Sequence, residues 1–243
     1  MVTLKVLGSG DAFGTGGIPN TCFHLSSSEH GILIDCGATS LVQLKKYGLD
    51  SNAVDSILVS HFHGDHYGGI PFLMLEAALV HQRKKPLRII GPEGIQEKLI
   101  ALQDALYPGT SEHMDQLDLH FSSFREKSIL EFNEFSLNST PVLHAPASHP
   151  HALRITVEGK VIAFSGDTSW TDELYDIADG ADLFICECNF LDQRSPAHIH
   201  YKELKEKASG IRADRLVLTH LGGEMLRSSV DHECLVEGQE IQL

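Results

Sequence analysis

Length, composition and charge restrict the class of protein first. The chain has 243 residues, 42% hydrophobic and 21% charged, and a formal net charge of −14. These proportions are typical of a folded globular protein and exclude disordered, collagen-like and membrane chains. The negative charge makes long nucleic acid an unfavourable partner, because it repels a polyanion. Five irregularly spaced cysteines, no signal core and no long apolar run predict a cytoplasmic protein with no membrane association.

Short apolar runs and helical segments alternate along the chain, which predicts a single α/β domain over residues 1–243. Strands are predicted at 3–7, 31–35, 56–60, 87–90, 117–121, 134–137, 140–144, 152–157, 161–164, 183–185 and 216–218. Helices are predicted at 40–47, 70–81, 94–106 and 201–208. The glycine-rich segment 8–17 fits the GxGxxG dinucleotide spacing only loosely, so a plain flexible turn is the preferred interpretation.

The strongest chemical signal is a run of ligand-type residues directly after the predicted strand 56–60. The run reads His61-Phe62-His63-Gly64-Asp65-His66. Three imidazoles and a carboxylate suit zinc, iron or manganese, and a mixed set with open positions leaves room for water. A polar turn with surface histidines is the weaker alternative.

One turn rarely closes two coordination spheres, so more distant ligands are needed. His144, Asp167 and His220 each follow a predicted strand and are the candidates. His149 and His151 compete with His144, because all three lie in one short segment. His144 is preferred because it directly follows the strand, whereas the other two flank a proline in a predicted loop.

These motifs together resemble the metallo-β-lactamase superfamily. The resemblance runs from Leu7-Gly8-Ser9-Gly10 through Leu33-Ile34-Asp35-Cys36-Gly37, the histidine run and Ser165-Gly166-Asp167-Thr168 to Leu218-Thr219-His220. It implies an α/β fold of the αββα type, a four-layer sandwich of two mixed sheets flanked by helices. The later part of the chain is most similar to the branch of ribonuclease Z and related phosphodiesterases.

The resemblance also implies a ligand set for two divalent ions, zinc being the first expectation and manganese or iron the alternatives. One ion would be held by His61, His63 and His144, the other by Asp65, His66 and His220, with Asp167 bridging. Asp35 would orient the ligand turn from behind. The ions would lower the pKa of a water between them, and the resulting hydroxide would attack the substrate.

The same resemblance assigns the remaining catalytic residues. His198 would be the general acid that protonates the leaving oxygen, and Glu187 would orient it. Asp65 is counted with these catalytic residues as well as with the ligands. His200 is a weaker rival for the acid, and the structural alternative is that His198 only caps the helix beginning near Tyr201. Cys186 and Cys188 are interpreted as small apolar residues of a buried strand.

Three departures from ribonuclease Z argue against processing of tRNA. The interval between His144 and Asp167 is too short for the arm that grips tRNA. The loop 17–21 lacks the basic residues of that family, and Cys186 occupies the position at which that family has a histidine. The expected substrate is therefore a phosphodiester of small or moderate size. A lactone or thioester hydrolase and a non-catalytic metal-binding module are the alternatives. A homodimer is suggested only by analogy with similar proteins.

Overall fold

The computed structural model describes residues 1–243, and its strands form two seven-stranded sheets. The strands of the first sheet are Thr3–Gly8 (β1), Cys22–Ser26 (β2), Gly31–Ile34 (β3), Ser56–Leu58 (β4), Leu87–Pro92 (β5), Leu119–Phe124 (β6) and Glu240–Gln242 (β14). Their spatial order is β14-β1-β2-β3-β4-β5-β6. Pairing is antiparallel from β14 to β3 and parallel from β3 to β6, so the sheet is mixed.

The second sheet is built in the same way. Its strands are Ser128–Glu131 (β7), Ser136–Pro141 (β8), His151–Val157 (β9), Lys160–Phe164 (β10), Leu183–Glu187 (β11), Leu216–Thr219 (β12) and Glu233–Cys234 (β13). Their spatial order is β13-β12-β11-β10-β9-β8-β7. Strands β7 to β10 pair antiparallel and β10 to β13 pair parallel.

Helices cover the outer face of each sheet. They are Ser40–Lys46 (α1), Gly64–Tyr67 (α2), Ile70–Leu79 (α3), Ile95–Leu106 (α4), Ser111–Met114 (α5), Glu173–Ala178 (α6), Tyr201–Lys207 (α7) and Gly223–Arg227 (α8). A core of 22 buried apolar residues lies between the sheets, and one further core lies under the helices of each sheet. The four-layer αββα sandwich is therefore confirmed. None of the helices has the length and hydrophobicity of a membrane-spanning segment.

Strand direction brings the polar segments together at one edge. The parallel pairing aligns Phe164 with Ile185 and Glu187 with Thr219, so the residues that follow β10 and β12 emerge beside the end of β11. In the first sheet the parallel pairing of β3 with β4 places Asp35 beside the segment that follows β4. The carboxyl ends of parallel strands share a sheet edge, which is the usual place of a site in such sheets.

Several sequence-based predictions of strands were wrong in detail. Predicted strands 134–137 and 140–144 are one strand, β8, which ends at Pro141 because proline has no N–H to donate to the ladder. Consequently His144 lies on a bend beyond the strand. Strands β2, β7, β13 and β14 and helices α2, α5, α6 and α8 were not predicted. The glycine-rich segment 8–17 ends in a short 3-10 turn, Thr15–Gly17, and is followed by β2 and not by an α-helix, which is contrary to the dinucleotide interpretation.

Candidate metal centre

The ligand turn after β4 is fixed by close backbone packing. Helix α2 carries Asp65 and His66, and its carbonyl at His66 accepts a hydrogen bond from the N–H of Cys36 at 2.7 Å. The N–H of Gly69 donates back to the carbonyl of Cys36 at 2.8 Å. A Cβ atom on Gly37 would lie 2.2 Å from the carbonyl oxygen of Asp65, so only glycine allows this approach.

His61, His63 and His144 form the first group of potential ligands, with one ring nitrogen of each within 4.8 Å of the others. Nε2 of His144 lies 3.1 Å from Nδ1 of His63. The other nitrogen of His144, Nδ1, donates to the carbonyl oxygen of Ala197 at 2.7 Å. This bond leaves the lone pair of Nε2 directed at the group.

Asp65, His66, Asp167 and His220 form the second group, and all four are buried. Oδ2 of Asp167 lies 3.3 Å from Nε2 of both His66 and His220, and 3.8 Å from Nε2 of His61. Oδ2 of Asp65 lies 3.2 Å from Nε2 of His66 and 3.3 Å from Nε2 of His220. Asp167 is thus the carboxylate that contacts histidines of both groups.

The donor atoms fit divalent metal ions. Nε2 of His61, Nε2 of His66 and Oδ1 of Asp167 are buried and have no hydrogen-bond partner. A buried nitrogen or oxygen without a hydrogen bond is costly, so these three atoms of neighbouring side chains call for a partner that the protein itself does not supply. Imidazole and carboxylate donors in this mixture are those that zinc, manganese and iron accept.

Charge in the second group is balanced by the histidines themselves. Burial alone would lower the pKa of His220, but Asp167 and Asp65 oppose this and raise it to about 9. Burial likewise opposes protonation of His66, and the carboxylates of Asp167 and Asp35 raise its pKa well above its usual value. In Asp167, burial favours the neutral acid, but His220 and His66 hold its pKa well below the usual range. The metal-free site therefore carries protons that a cation would replace.

Asp35 supports the ligand turn from behind. Its side chain is fully buried and accepts hydrogen bonds from Nδ1 of His66 at 2.6 Å, from the N–H of Ser60 at 2.7 Å and from the hydroxyl of Ser60 at 2.8 Å. These bonds fix the ring orientation of His66 and leave Nε2 pointing into the second group.

Next to the two groups, Glu187 and His198 form a hydrogen-bonded pair. Nδ1 of His198 donates to Oε1 of the buried Glu187 at 2.9 Å. Burial lowers the pKa of His198, but the bond to Glu187 and its charge outweigh burial and raise it. His198 is not the helix cap, because the N–H of Glu203 donates to His200, which caps α7. His200 is thereby occupied in a structural role.

Glu187 is held by residues that the sequence did not single out. The N–H of Thr168 donates to its Oε1 at 2.9 Å and the N–H of Asn189 to its Oε2 at 3.2 Å. The side-chain amide of Asn189 also lies 3.3 Å from Nδ1 of His220. The only sequence signal for these contacts is that Thr168 and Asn189 closely follow strands β10 and β11.

His149 and His151 belong to neither group of potential ligands. His151 is not in a loop, as predicted, but begins β9, and its buried ring packs edge-on against Phe124. His149 is exposed and has a left-handed backbone with φ 51°. Of the three histidines in this segment, the structure brings only His144 to His61 and His63.

Cys186 and Cys188 lie in the apolar core under the helices of the second sheet. Burial raises the pKa of both thiols, so they remain protonated and unreactive. All five cysteines of the chain are free thiols. The interpretation of Cys186 and Cys188 as small apolar core residues agrees with this placement.

Two sheets in an αββα sandwich with a His/Asp cluster at the strand ends define a protein of the metallo-β-lactamase fold. Residues 2–237 match the family described as Anti-Pycsar protein Apyc1, and the chain belongs to that family. Among curated proteins, it is 24% identical to a ribonuclease Z of Agathobacter rectalis over 272 residues, with 88% of each protein covered. It is likewise 24% identical to the probable metallo-hydrolase YhfI of Bacillus subtilis, with 90% of this chain and 86% of YhfI covered.

Solved structures give the same assignment of the fold. The metallo-β-lactamase fold protein YhfI of Bacillus subtilis superposes with a TM-score of 0.80 at 23% identity, over 100% of both chains. Human tRNase Z, short form, superposes with a TM-score of 0.77 at 21% identity, over 99% of this chain and 98% of that one. The resemblance to the metallo-β-lactamase superfamily and its ribonuclease Z branch is thus confirmed.

Proposed function

We propose that this protein is a metal-dependent hydrolase that cleaves a phosphodiester of small or moderate size. One observation carries the proposal: the pair Glu187–His198 lies against both donor groups. Nitrogen or oxygen atoms of His144, Asp167 and His198 lie within 4.8 Å of one another, and so do those of Glu187, His198 and His220. His198, the proposed proton donor, therefore lies beside the two groups of ligands, where the leaving group of the substrate would depart.

The ligand sets proposed are those that the geometry brings together. His61, His63 and His144 would hold one divalent ion, and Asp65, His66 and His220 the other, with Asp167 shared. Zinc is the first choice. Bound divalent ions supply Lewis acidity and activate water for attack on phosphorus.

His198 provides the acid function of the reaction. Its Nδ1 is engaged by Glu187, so Nε2 is the nitrogen left to donate a proton to the departing oxygen. The carboxylate of Glu187 stabilises the imidazolium form, and the N–H groups of Thr168 and Asn189 fix that carboxylate. Asp65 completes the catalytic set, since its Oδ2 lies 3.2 Å from Nε2 of His66 and 3.3 Å from Nε2 of His220.

A small substrate is favoured by charge and by the absence of an arm after His144. The net charge is −14, and the residues between His144 and Asp167 are taken up by a short 3-10 turn and the paired strands β9 and β10. No part of this interval extends from the sheet to grip a large RNA. RNA nevertheless belongs in any substrate screen, because several relatives are named ribonuclease Z.

Hydrolysis of matched substrates tests the function. The metal-loaded protein should hydrolyse bis(4-nitrophenyl) phosphate, and Asp167→Ala should lose both metal and turnover. Asp118→Ala, a change at an exposed carboxylate, should keep both. Faster turnover of a lactone or thioester than of the phosphodiester would contradict the proposal and favour the alternative hydrolase. A protein that binds metal but hydrolyses none of these substrates would favour the non-catalytic metal-binding module.

Three further features are proposed: the domain organisation, the cellular compartment and the oligomeric state. Residues 1–243 would act as one hydrolase domain. The five free thiols suit the reducing cytoplasm. A homodimer is proposed by analogy alone, and light scattering of the purified protein would test it.

A further inference from the structure

A cavity of about 620 Å³ lies on the helical side of the first sheet, between α4, the segment 110–117 and β6. This volume is within the range of small-molecule sites, about 300–1,000 Å³. Seven of the 13 residues that line the cavity are hydrophobic, and none of the 13 belongs to the donor groups or to the pair Glu187–His198. What the cavity binds is therefore independent of the proposed hydrolase activity.

The apolar walls of the cavity are part of the core under the helices of the first sheet. Leu99 and Leu117 are buried members of that core, and Phe121 packs against it. Met74 and Met114 belong to the same core and also line the cavity. Because methionine is unbranched and flexible, these two side chains allow the wall to adjust around an entering ring or chain.

Gln103 of α4 is the polar side chain that is buried in this wall, with 5% of its surface exposed. Its Nε2 donates to Oγ1 of Thr110 at 3.2 Å, and the hydroxyl of Thr110 donates to the carbonyl of Tyr107 at 2.7 Å. A hydroxyl has a single proton, so Oγ1 of Thr110 can only accept from Gln103. This network fixes the amide of Gln103 with its NH₂ group towards Thr110.

The same orientation leaves Oε1 of Gln103 buried and without a hydrogen-bond partner. A buried acceptor without a partner is costly, so a donor supplied from outside the chain would be bound favourably there. Oε1 is itself covered, so a ligand reaches it only when side chains of the wall move, as the flexible methionines permit. The cavity therefore combines apolar walls with one acceptor.

The charges around the cavity favour a neutral ligand. Asp104 and Asp115 are exposed and line it, and no lysine, arginine or histidine does. The two carboxylates repel an anion such as a fatty acid. A cation would lose its hydration among the apolar walls.

We propose that this cavity is a second ligand site, separate from the metal centre, for a neutral small molecule with an apolar body and one O–H or N–H donor. The apolar body packs between Leu99, Phe121 and the two methionines, and the donor bonds to Oε1 of Gln103. The carbonyl of Gln103 is thus the specificity-determining group of the site.

Three naphthalene compounds test the chemistry of the ligand. At neutral pH, 2-naphthol carries a donor, 2-methoxynaphthalene has the same rings without a donor, and 2-naphthoate is an anion. The Kd of 2-naphthol for the metal-loaded protein should be about three- to tenfold below that of 2-methoxynaphthalene, the value of one hydrogen bond. 2-Naphthoate should bind the cavity more weakly than either. Equal affinity of the two neutral compounds would overturn the inference.

A substitution at Gln103 tests the contact itself. Gln103→Leu removes the acceptor and keeps an apolar side chain of similar size, so the ratio of the two Kd values should fall to about one while 2-methoxynaphthalene binds as before. Gln116→Leu, at an exposed glutamine outside the cavity, should keep the wild-type ratio. An unchanged preference for 2-naphthol in Gln103→Leu would refute the contact. The comparison in the wild type needs no variant, so the inference stays testable if Gln103→Leu fails to fold.

Methionine methyl signals locate the binding. The chain has four methionines; Met74 and Met114 line the cavity, whereas Met1 and Met225 do not and serve as internal controls. In protein labelled with ¹³C at the methionine methyl groups, titration with 2-naphthol should shift the signals of Met74 and Met114 and leave the other two in place. A shift of Met225 alone would place the ligand elsewhere and overturn the site. Signals of Met74 and Met114 that change with protein concentration, and not with 2-naphthol, would show that a second copy of the chain covers this face and would also overturn it.

Discussion

Removal of the imidazole of His198 should slow the reaction by an amount that depends on the leaving group. A general acid contributes about 10²–10⁴-fold to rate, and it does so by neutralising charge on the departing oxygen. Phenolate is a stronger base than 4-nitrophenolate and needs this proton more. His198→Ala should therefore lower kcat about 100-fold or more for diphenyl phosphate and much less for bis(4-nitrophenyl) phosphate.

The effect of Glu187 follows from its hydrogen bond to His198. A hydrogen bond that involves a charged group is worth about 1.5–3 kcal/mol, and one between neutral groups about 0.5–1.5 kcal/mol. Glu187→Gln should therefore reduce the stabilisation of the imidazolium form of His198 by about 1–2 kcal/mol. One pKa unit corresponds to about 1.36 kcal/mol, so the pKa of His198 should fall by about one unit. The fall in kcat with rising pH should then begin about one unit lower.

The assay is a pH profile of kcat with both diesters, on protein whose metal content has been measured. His200→Ala is the matched control, because it removes the cap of α7 in the same segment and should not change the ratio of the two rates. An equal loss of rate for both substrates in His198→Ala would refute the assignment of His198 as the general acid.

Three further predictions concern the metal centre. Asp35→Asn removes a buried, charged acceptor and should lower the free energy of unfolding of the metal-free protein by about 2–4 kcal/mol, as measured by urea titration. It should also weaken metal binding about 10–100-fold. Unchanged values of both quantities would contradict the orienting role of Asp35. Gly37→Ala should displace α2, because the new Cβ would lie 2.2 Å from the carbonyl of Asp65, and a metal content equal to wild type would contradict this packing. The pKa of His220 is raised to about 9, so this ligand is protonated at neutral pH, and metal binding should release protons there and tighten as the pH rises towards about 9. Calorimetry in buffers of different ionisation enthalpy measures this release, and heats independent of the buffer would contradict it.

Much of the site was predictable because its ligands follow strands. The candidates were chosen because each follows a predicted strand, and in the structure the carboxyl ends of parallel strands meet at one edge. His61, Asp167 and His220 all follow such strands, so their meeting required no knowledge of side-chain packing. His144 was selected for a reason that proved incorrect, since β8 ends at Pro141, yet the residue still reaches His63.

What the sequence did not reveal depends on contacts between distant backbone segments. The carbonyl of Ala197 orients His144 across 53 positions, and a backbone acceptor has no sequence signature. The packing of Gly37 under Asp65 and the left-handed conformation of His149 are imposed by tertiary structure, not by local preference. The short strands β13 and β14 pair only at sheet edges, where hydrophobic periodicity is too brief to detect.

Anomalous scattering from a crystal of the zinc-loaded protein would locate the bound ions. Two peaks are expected, one bounded by His61, His63 and His144 and the other by the group of Asp65 and His220, with Asp167 between them. Data collected above and below the zinc absorption edge identify the element. No peak at either position, or zinc bound elsewhere on the chain, would contradict the metal centre proposed here.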